Sequence, residues 1–161
     1  MILNFENERK KILKILTILS TITIIIVFLT FHIEFTVNDF IMLLMLLISV
    51  VCLHEGLHLV AFSIFKIPFR FVFLKNTLCL ALFPNKPITY NQLLIIDLLP
   101  QIITVILAIL YLAFNHIIFL ITLITHLLAS CSDFFYVVKL RKYRNYMFKC
   151  VENGILLIKN S

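Results

Sequence analysis

The sequence predicts an all-α membrane protein with four transmembrane helices, and two observations lead to this expectation. The 161 residues are 62% hydrophobic and only 14% charged, whereas a soluble globular domain is nearer half apolar and a quarter charged. The apolar residues also gather into runs of roughly 20, the length of helix that crosses a hydrocarbon core of about 30 Å. Since no repeat or linker is visible, one membrane-embedded domain is expected over 1–161.

The expected spans follow from the places where charge is absent. Residues 15–33 carry no charge, and Glu55 is the only charged residue within 40–65. A third uncharged run, 98–132, is too long for a single crossing, so Asn115-His116 is taken as a break within it. The predicted spans are therefore 12–33, 40–66, 91–114 and 117–138, and a tail follows at 139–161.

The positions of the basic residues predict the orientation of these spans. All 14 Lys and Arg lie within three segments, 9–14, 66–86 and 139–159. The positive-inside rule assigns such segments to the cytoplasm, so a multi-pass protein of the cell membrane is expected, with both termini cytoplasmic (N-in, C-in). The basic residues that give the chain its net charge of +6 are explained by their role in orienting the spans, so no nucleic-acid partner is expected. The expected surroundings of the protein are the lipids of the bilayer.

Two segments outside the spans have patterns of their own. Within 69–83, two β-prone runs flank Lys75-Asn76, and this predicts a short β-hairpin in the cytoplasmic-side loop between helices 2 and 3. An edge strand there could hold a peptide by β-augmentation, or the hairpin could only fill space, and both interpretations stay open. The basic, aromatic tail at 139–161 is expected to lie on the anionic inner surface of the membrane.

One motif within the second predicted span contains residues that could bind a metal ion and catalyse a reaction. Residues 54–58 read His-Glu-Gly-Leu-His, the H-E-x-x-H pattern. Four residues apart on a helix, His54 and His58 share a face and can bind one tetrahedral Zn²⁺. Glu55 can then act as general base on a zinc-activated water. An ionisable residue inside a span costs about 2.5–3.5 kcal/mol, which favours a functional role for Glu55. An interhelical hydrogen-bond cluster is the alternative interpretation.

A catalytic zinc usually takes three protein ligands and one water, so a third ligand is expected at the same membrane depth. With a rise of 1.5 Å per residue, His58, Asp97 and Asp133 lie ~12, ~10 and ~9 Å from the inner boundary. Either aspartate therefore has a suitable depth. The histidines expected to be packing or interfacial residues are His32, His116 and His126.

The neighbours of the two aspartates favour Asp133. The small residues at 129–132 precede it, and with Gly56 they predict a close approach of two helices, which a short carboxylate ligand requires. Asp97 precedes Pro100, whose ring frees a backbone carbonyl one turn earlier. Asp97 therefore stays open as an alternative third ligand, or as a partner that orients a ligating histidine.

These features together resemble a bacterial family of zincin-like membrane peptidases, over roughly residues 40–158. They are an H-E-x-x-H motif in an early span, a hairpin-like loop, a proline in the third span and an aspartate after small residues in the last. The chain is also similar, more distantly, to the site-2 proteases, which cleave within the bilayer using two histidines and an aspartate. The resemblance implies His54, His58 and Asp133 as zinc ligands and Glu55 as base.

The sequence thus predicts a zinc metalloendopeptidase that hydrolyses peptide bonds near the cytoplasmic face of the membrane, with a peptide or transmembrane protein as substrate. Two other functions stay open. One is a catalytically inactive, metal-binding membrane adaptor or immunity-type protein. The other is an ion transporter in which Glu55 and Asp133 belong to an ion pathway, although the chain has no visible repeat of the kind that transporters use.

Overall fold

The computed structural model describes residues 2–31, 36–74, 79–151 and 154–159. Its helices are α1 (Glu6–Phe31), α2 (Val37–Ile64), α3 (Tyr90–Leu98), α4 (Ile102–Phe114), α5 (Ile117–Ala129) and α6 (Cys131–Leu140), with 3-10 helices at Leu99–Gln101 and Arg141–Tyr143. Its strands are β1 (Ile2–Leu3), β2 (Phe69–Leu74), β3 (Cys79–Pro84), β4 (Tyr146–Val151) and β5 (Gly154–Lys159).

Three helical stretches in the described ranges are long and apolar enough to cross a membrane, namely Val37–Ile64, Tyr90–Phe114 and Ile117–Tyr143. They coincide with the second, third and fourth predicted spans. Only 6% of the most apolar part of α2 is buried inside the protein, and so much exposed apolar surface suits contact with lipid. A mostly helical structure with three helices of membrane-spanning length and composition is thereby confirmed. In α1 the apolar stretch Lys14–Thr23 is shorter, so the first span and the orientation stay predictions.

The helices begin and end where the sequence offers caps. Thr36 and Asp39 form a reciprocal capping box at the start of α2, and Thr89 and Gln92 form another at the start of α3. The expected break after α4 is present, because Asn115 adopts the left-handed conformation with φ 47°. Asparagine is one of the few residues that tolerate this conformation, so α4 and α5 are joined by a tight turn.

The predicted hairpin is present as the antiparallel pair of β2 and β3. Phe69 lies opposite Pro84, and Leu74 lies opposite Cys79. The expected turn at Lys75-Asn76 lies outside the described residues. The hairpin follows α2 directly, and the ring of Phe69 stacks on Phe62 near the end of that helix at 5.6 Å.

A second sheet, which was not predicted from the sequence, contains strands from both ends of the chain in the order β1-β5-β4. The basic tail, whose location at the membrane surface stays a prediction, forms two of these strands. Its side chains alternate, with Phe148 and Leu157 buried while Lys149 and Lys159 are exposed. Ile88 and Phe148 exchange two backbone hydrogen bonds at 2.8 and 2.9 Å, which attach the connection before α3 to this sheet.

A buried apolar core connects the sheet with the helices at one end of the molecule. It contains side chains from β1, the end of α2, α3, α6 and both tail strands, namely Leu3, Ala61, Phe62, Ile67, Ile88, Ile96, Leu140, Phe148, Ile155 and Leu157. An ion pair between Glu8 and Lys139 links α1 to α6 at the same end. The described parts of the three basic segments therefore lie at one end of the helices.

Candidate metal site

Two helices bring three potential metal ligands together. α2 presents His54 and His58 one turn apart, and their Nε2 atoms are 3.2 Å from each other. Asp133, in the first turn of α6, places Oδ2 3.3 Å from Nε2 of His54 and 3.8 Å from Nε2 of His58. Among the described residues these three form a group that could hold a metal ion, with ligand atoms within 4.8 Å of one another.

The orientation of the His58 ring is fixed by a hydrogen bond between its Nδ1 atom and a backbone carbonyl. Its Nδ1 lies 2.9 Å from the carbonyl oxygen of Ile96 on α3. A carbonyl oxygen can only accept, so Nδ1 carries the proton and donates it. In the neutral ring, Nε2 then holds a lone pair that faces Asp133, which is the arrangement a histidine ligand needs.

Pro100 explains why that carbonyl is free. In a continuous helix the carbonyl of Ile96 would accept from the N–H of residue 100, but proline has no N–H to donate. Pro100 lies in the 3-10 helix Leu99–Gln101 that separates α3 from α4. The sequence predicted a carbonyl freed one turn before Pro100, and in the structure the side chain bonded to this carbonyl is His58.

His54 is held by the side chain of a third histidine, His126. Its Nδ1 lies 3.1 Å from Nε2 of His126 on α5, and Nδ1 of His126 lies 3.0 Å from the hydroxyl of Thr104 on α4. His126 was expected at a packing or interfacial position, but it is 4% exposed and contacts the candidate site. The spacing of seven residues between His126 and Asp133, two helical turns, is the signal that could have identified it.

The donor set fits a divalent cation. Oδ2 of Asp133 is buried and accepts no hydrogen bond among the described residues. Its 3.3 Å approach to His54 is an electrostatic contact that lacks hydrogen-bond geometry. A buried carboxylate oxygen without a partner is costly, and here it faces imidazole nitrogens that are free to coordinate. Two histidine nitrogens and one carboxylate oxygen are ligands that Zn²⁺ commonly takes, and they leave a fourth position open.

The two other acidic residues singled out by the sequence lie around this group. Glu55 is half-buried on α2, within electrostatic range of His54 and Asp133. Asp97 lies on α3, next to Ile96 and within electrostatic range of Asp133, but it contributes no atom to the converging group.

The close helix approach expected at Gly56 is not present. A Cβ added to Gly56 would meet no atom within 4 Å, so this glycine lies beside open space. Among the small residues before Asp133, Ala129 is exposed and Ser130 packs elsewhere. Ser130 is completely buried, and its hydroxyl lies 3.4 Å from Oε1 of Gln101 in the 3-10 helix.

Comparison with known protein families adds one finding. The model of the family described as "Putative zincin peptidase" matches residues 47–148, which is 102 of the 161 residues and includes all three converging side chains. Neither the curated proteins nor the solved structures give a significant match to the chain. Because the match covers well over half of the sequence, the chain belongs to this family.

Proposed function

We propose that this protein is a membrane-embedded zinc metallopeptidase that hydrolyses peptide bonds near the cytoplasmic face of the membrane. The observation that carries the proposal is the convergence of His54 Nε2, His58 Nε2 and Asp133 Oδ2 beside Glu55. This group lies on helices of membrane-spanning length. Membership of the zincin family supports the peptidase class.

The proposed roles follow from the chemistry of each side chain. His54, His58 and Asp133 would hold the zinc ion, which supplies Lewis acidity when bound. Glu55 accepts a proton from the attacking water at its carboxylate. As the oxygen of that water bonds to the peptide carbon and the C–N bond breaks, Glu55 returns a proton to the leaving amine. The products are a carboxylic acid and an amine.

The proposed membrane placement uses charge and helix length. His58 lies six residues before the end of α2, which corresponds to ~9 Å along the helix axis. The sheets and the three basic segments lie at that same end. Since basic segments stay in the cytoplasm, we place this end inside the cell and assign α1 as the first of four spans. A peptide or a transmembrane protein would then be cut close to the inner boundary of the bilayer.

Cysteine labelling tests this orientation with a matched pair of exposed positions, His116 after α4 and Lys159 in β5. In a background whose four cysteines are replaced by alanine, His116→Cys is expected to react with a membrane-impermeant maleimide in intact cells. Lys159→Cys is expected to react only after permeabilisation. Labelling of Lys159→Cys in intact cells, at the rate seen for His116→Cys, would overturn the proposed placement.

Zinc removal tests the proposed activity. Protein in liposomes is incubated with a mixture of apolar peptides, and cleavage is followed by mass spectrometry with and without a zinc chelator. Lewis-acid catalysis contributes several kcal/mol, so cleavage is expected to fall by at least ~100-fold and to return when Zn²⁺ but not Mg²⁺ is added. Cleavage that persists after zinc has been removed, as measured by metal analysis, would contradict the proposal.

A further inference from the structure

A line of polar side chains leads away from the candidate metal site and connects four helical elements. It starts at Nδ1 of His54, which lies 3.1 Å from Nε2 of His126. Nδ1 of His126 lies 3.0 Å from Oγ1 of Thr104. The Thr104 hydroxyl in turn donates to Oε1 of Gln101 at 3.1 Å. The line therefore connects α2, α5, α4 and the 3-10 helix Leu99–Gln101.

Zinc binding through Nε2 of His54 requires one direction for the hydrogen bonds in this line, and the donation from Thr104 to Gln101 agrees with that direction. Oε1 of Gln101 can only accept, so the single hydroxyl proton of Thr104 is used there. Thr104 Oγ1 is then an acceptor for Nδ1–H of His126. In the neutral ring of His126 the other nitrogen, Nε2, holds a lone pair, and it accepts from Nδ1–H of His54. Nε2 of His54 is thereby left unprotonated, and this is the atom that faces Asp133.

Two neighbouring threonines on α5 use their hydroxyl groups differently from Thr104. Thr122 and Thr125 on α5 each donate to the backbone carbonyl four residues earlier, at 2.8 Å, as is common in apolar helices. Thr104 instead directs its hydroxyl to side chains of other residues. His126 is 4% exposed, and a buried imidazole needs partners at both nitrogens. The line supplies both of them.

We propose that His126, supported by Thr104 and Gln101, is a positioning residue that holds His54 in the tautomer and orientation required to bind zinc. This inference rests on the proposed zinc site and adds to it residues that touch neither metal nor substrate. Partners at the second ring nitrogen of a ligating histidine typically change metal affinity by about 10- to 100-fold. His58 has a backbone carbonyl in this position, whereas His54 depends on a side-chain relay.

The test measures zinc affinity by competition with a chelator of known affinity, on the full-length protein in detergent. His126→Leu is expected to weaken zinc binding by about 10- to 100-fold. His126→Gln should retain most of the affinity, because its amide can accept from His54 and donate to Thr104. Thr104→Val, which keeps the side-chain volume, is expected to cost roughly two- to tenfold, the worth of one hydrogen bond. Thr104→Ser should bind like wild type.

Two further measurements separate positioning from general damage. Thr125→Val on α5 makes the same chemical change as Thr104→Val outside the relay, and it is expected to leave zinc affinity unchanged. In the Co²⁺-substituted protein, the visible ligand-field bands should shift in His126→Leu and return in His126→Gln. A merely structural role for His126 would not predict that rescue.

The possible outcomes distinguish this inference from the proposed function. Wild-type zinc affinity in both His126→Leu and Thr104→Val would overturn the relay while leaving the zinc site intact. Equal losses in Thr125→Val and Thr104→Val would also overturn it. Failure of the wild-type protein to bind zinc would overturn the zinc site and the relay together. If His126→Leu does not fold, as judged by thermal unfolding, the Thr104→Val and Thr104→Ser pair decides.

Discussion

Replacing Glu55 with glutamine is expected to abolish peptide cleavage and to leave the zinc bound. Glutamine has almost the same shape as glutamate but cannot accept a proton from water at neutral pH. General-base catalysis contributes about 10²- to 10⁴-fold, so cleavage by Glu55→Gln should fall by that factor. Glu55 is not among the three converging ligand atoms, and zinc content should therefore match wild type. Both quantities are measured on the same preparation in liposomes.

The matched control for this change is Glu8→Gln. Glu8 is an exposed glutamate on α1, paired with Lys139 outside the candidate site, and its substitution should leave both cleavage and zinc content unchanged. Full cleavage activity in Glu55→Gln would remove the proposed base. Loss of zinc in the same variant would reassign Glu55 as a ligand or as a structural residue.

Replacing Asp133 with asparagine is expected to weaken zinc binding by at least ~100-fold. Loss of a residue that only hydrogen-bonds to a metal ligand costs up to about that factor, and loss of a ligand should cost no less. Oδ2 of Asp133 lies within 4 Å of both imidazole Nε2 atoms. Asparagine keeps the shape but removes the negative charge that neutralises the cation. Zinc affinity is measured by chelator competition, and the unfolding temperature of the metal-free protein shows whether the fold is retained.

Asp97→Asn is the matched variant for this experiment. Asp97 has the same side chain and lies seven residues after the start of α3, as Asp133 lies seven residues before the end of α6, but no atom of Asp97 converges with the histidines. Asp97→Asn should therefore keep zinc at nearly the wild-type affinity. The reverse pattern, with zinc lost in Asp97→Asn and kept in Asp133→Asn, would assign Asp97 as the third ligand.

Features governed by local geometry could be predicted from the sequence. The pairing of His54 with His58 needs only the period of one helix, and the break at Asn115 needs only a residue that tolerates a left-handed conformation. The free carbonyl before Pro100 can also be predicted from residues that are close in the sequence. For each of these, the interacting groups are set within a few residues of one another, so no knowledge of helix packing is required.

Features that depend on how helices rotate against one another could not be predicted in this way. Depth alone made Asp97 and Asp133 equivalent. Asp133 was favoured for its small neighbours and by the family resemblance, and the packing of α6 against α2 brings it to the histidines. The same packing turns His126 toward His54. Gly56 was assigned to a helix contact on composition alone, yet it lies beside open space.

The tail shows a different limit of sequence reasoning. Its strands are short, and their basic and aromatic residues are equally typical of a segment that lies on a membrane surface. What decides their structure is the burial of Phe148 and Leu157 in a core shared with Leu3, from the opposite end of the sequence. Because that partner is so distant in the chain, a local pattern could not indicate it.

The measurement that tests the central claim most directly is the metal content of the wild-type protein, purified in detergent without chelators and analysed by mass spectrometry. The convergence of His54, His58 and Asp133 predicts near-stoichiometric zinc. Folded protein that contains no zinc, and takes up none when Zn²⁺ is added, would contradict the proposed site. The cluster would then be an interhelical hydrogen-bond network, and the peptidase proposal would fail with it.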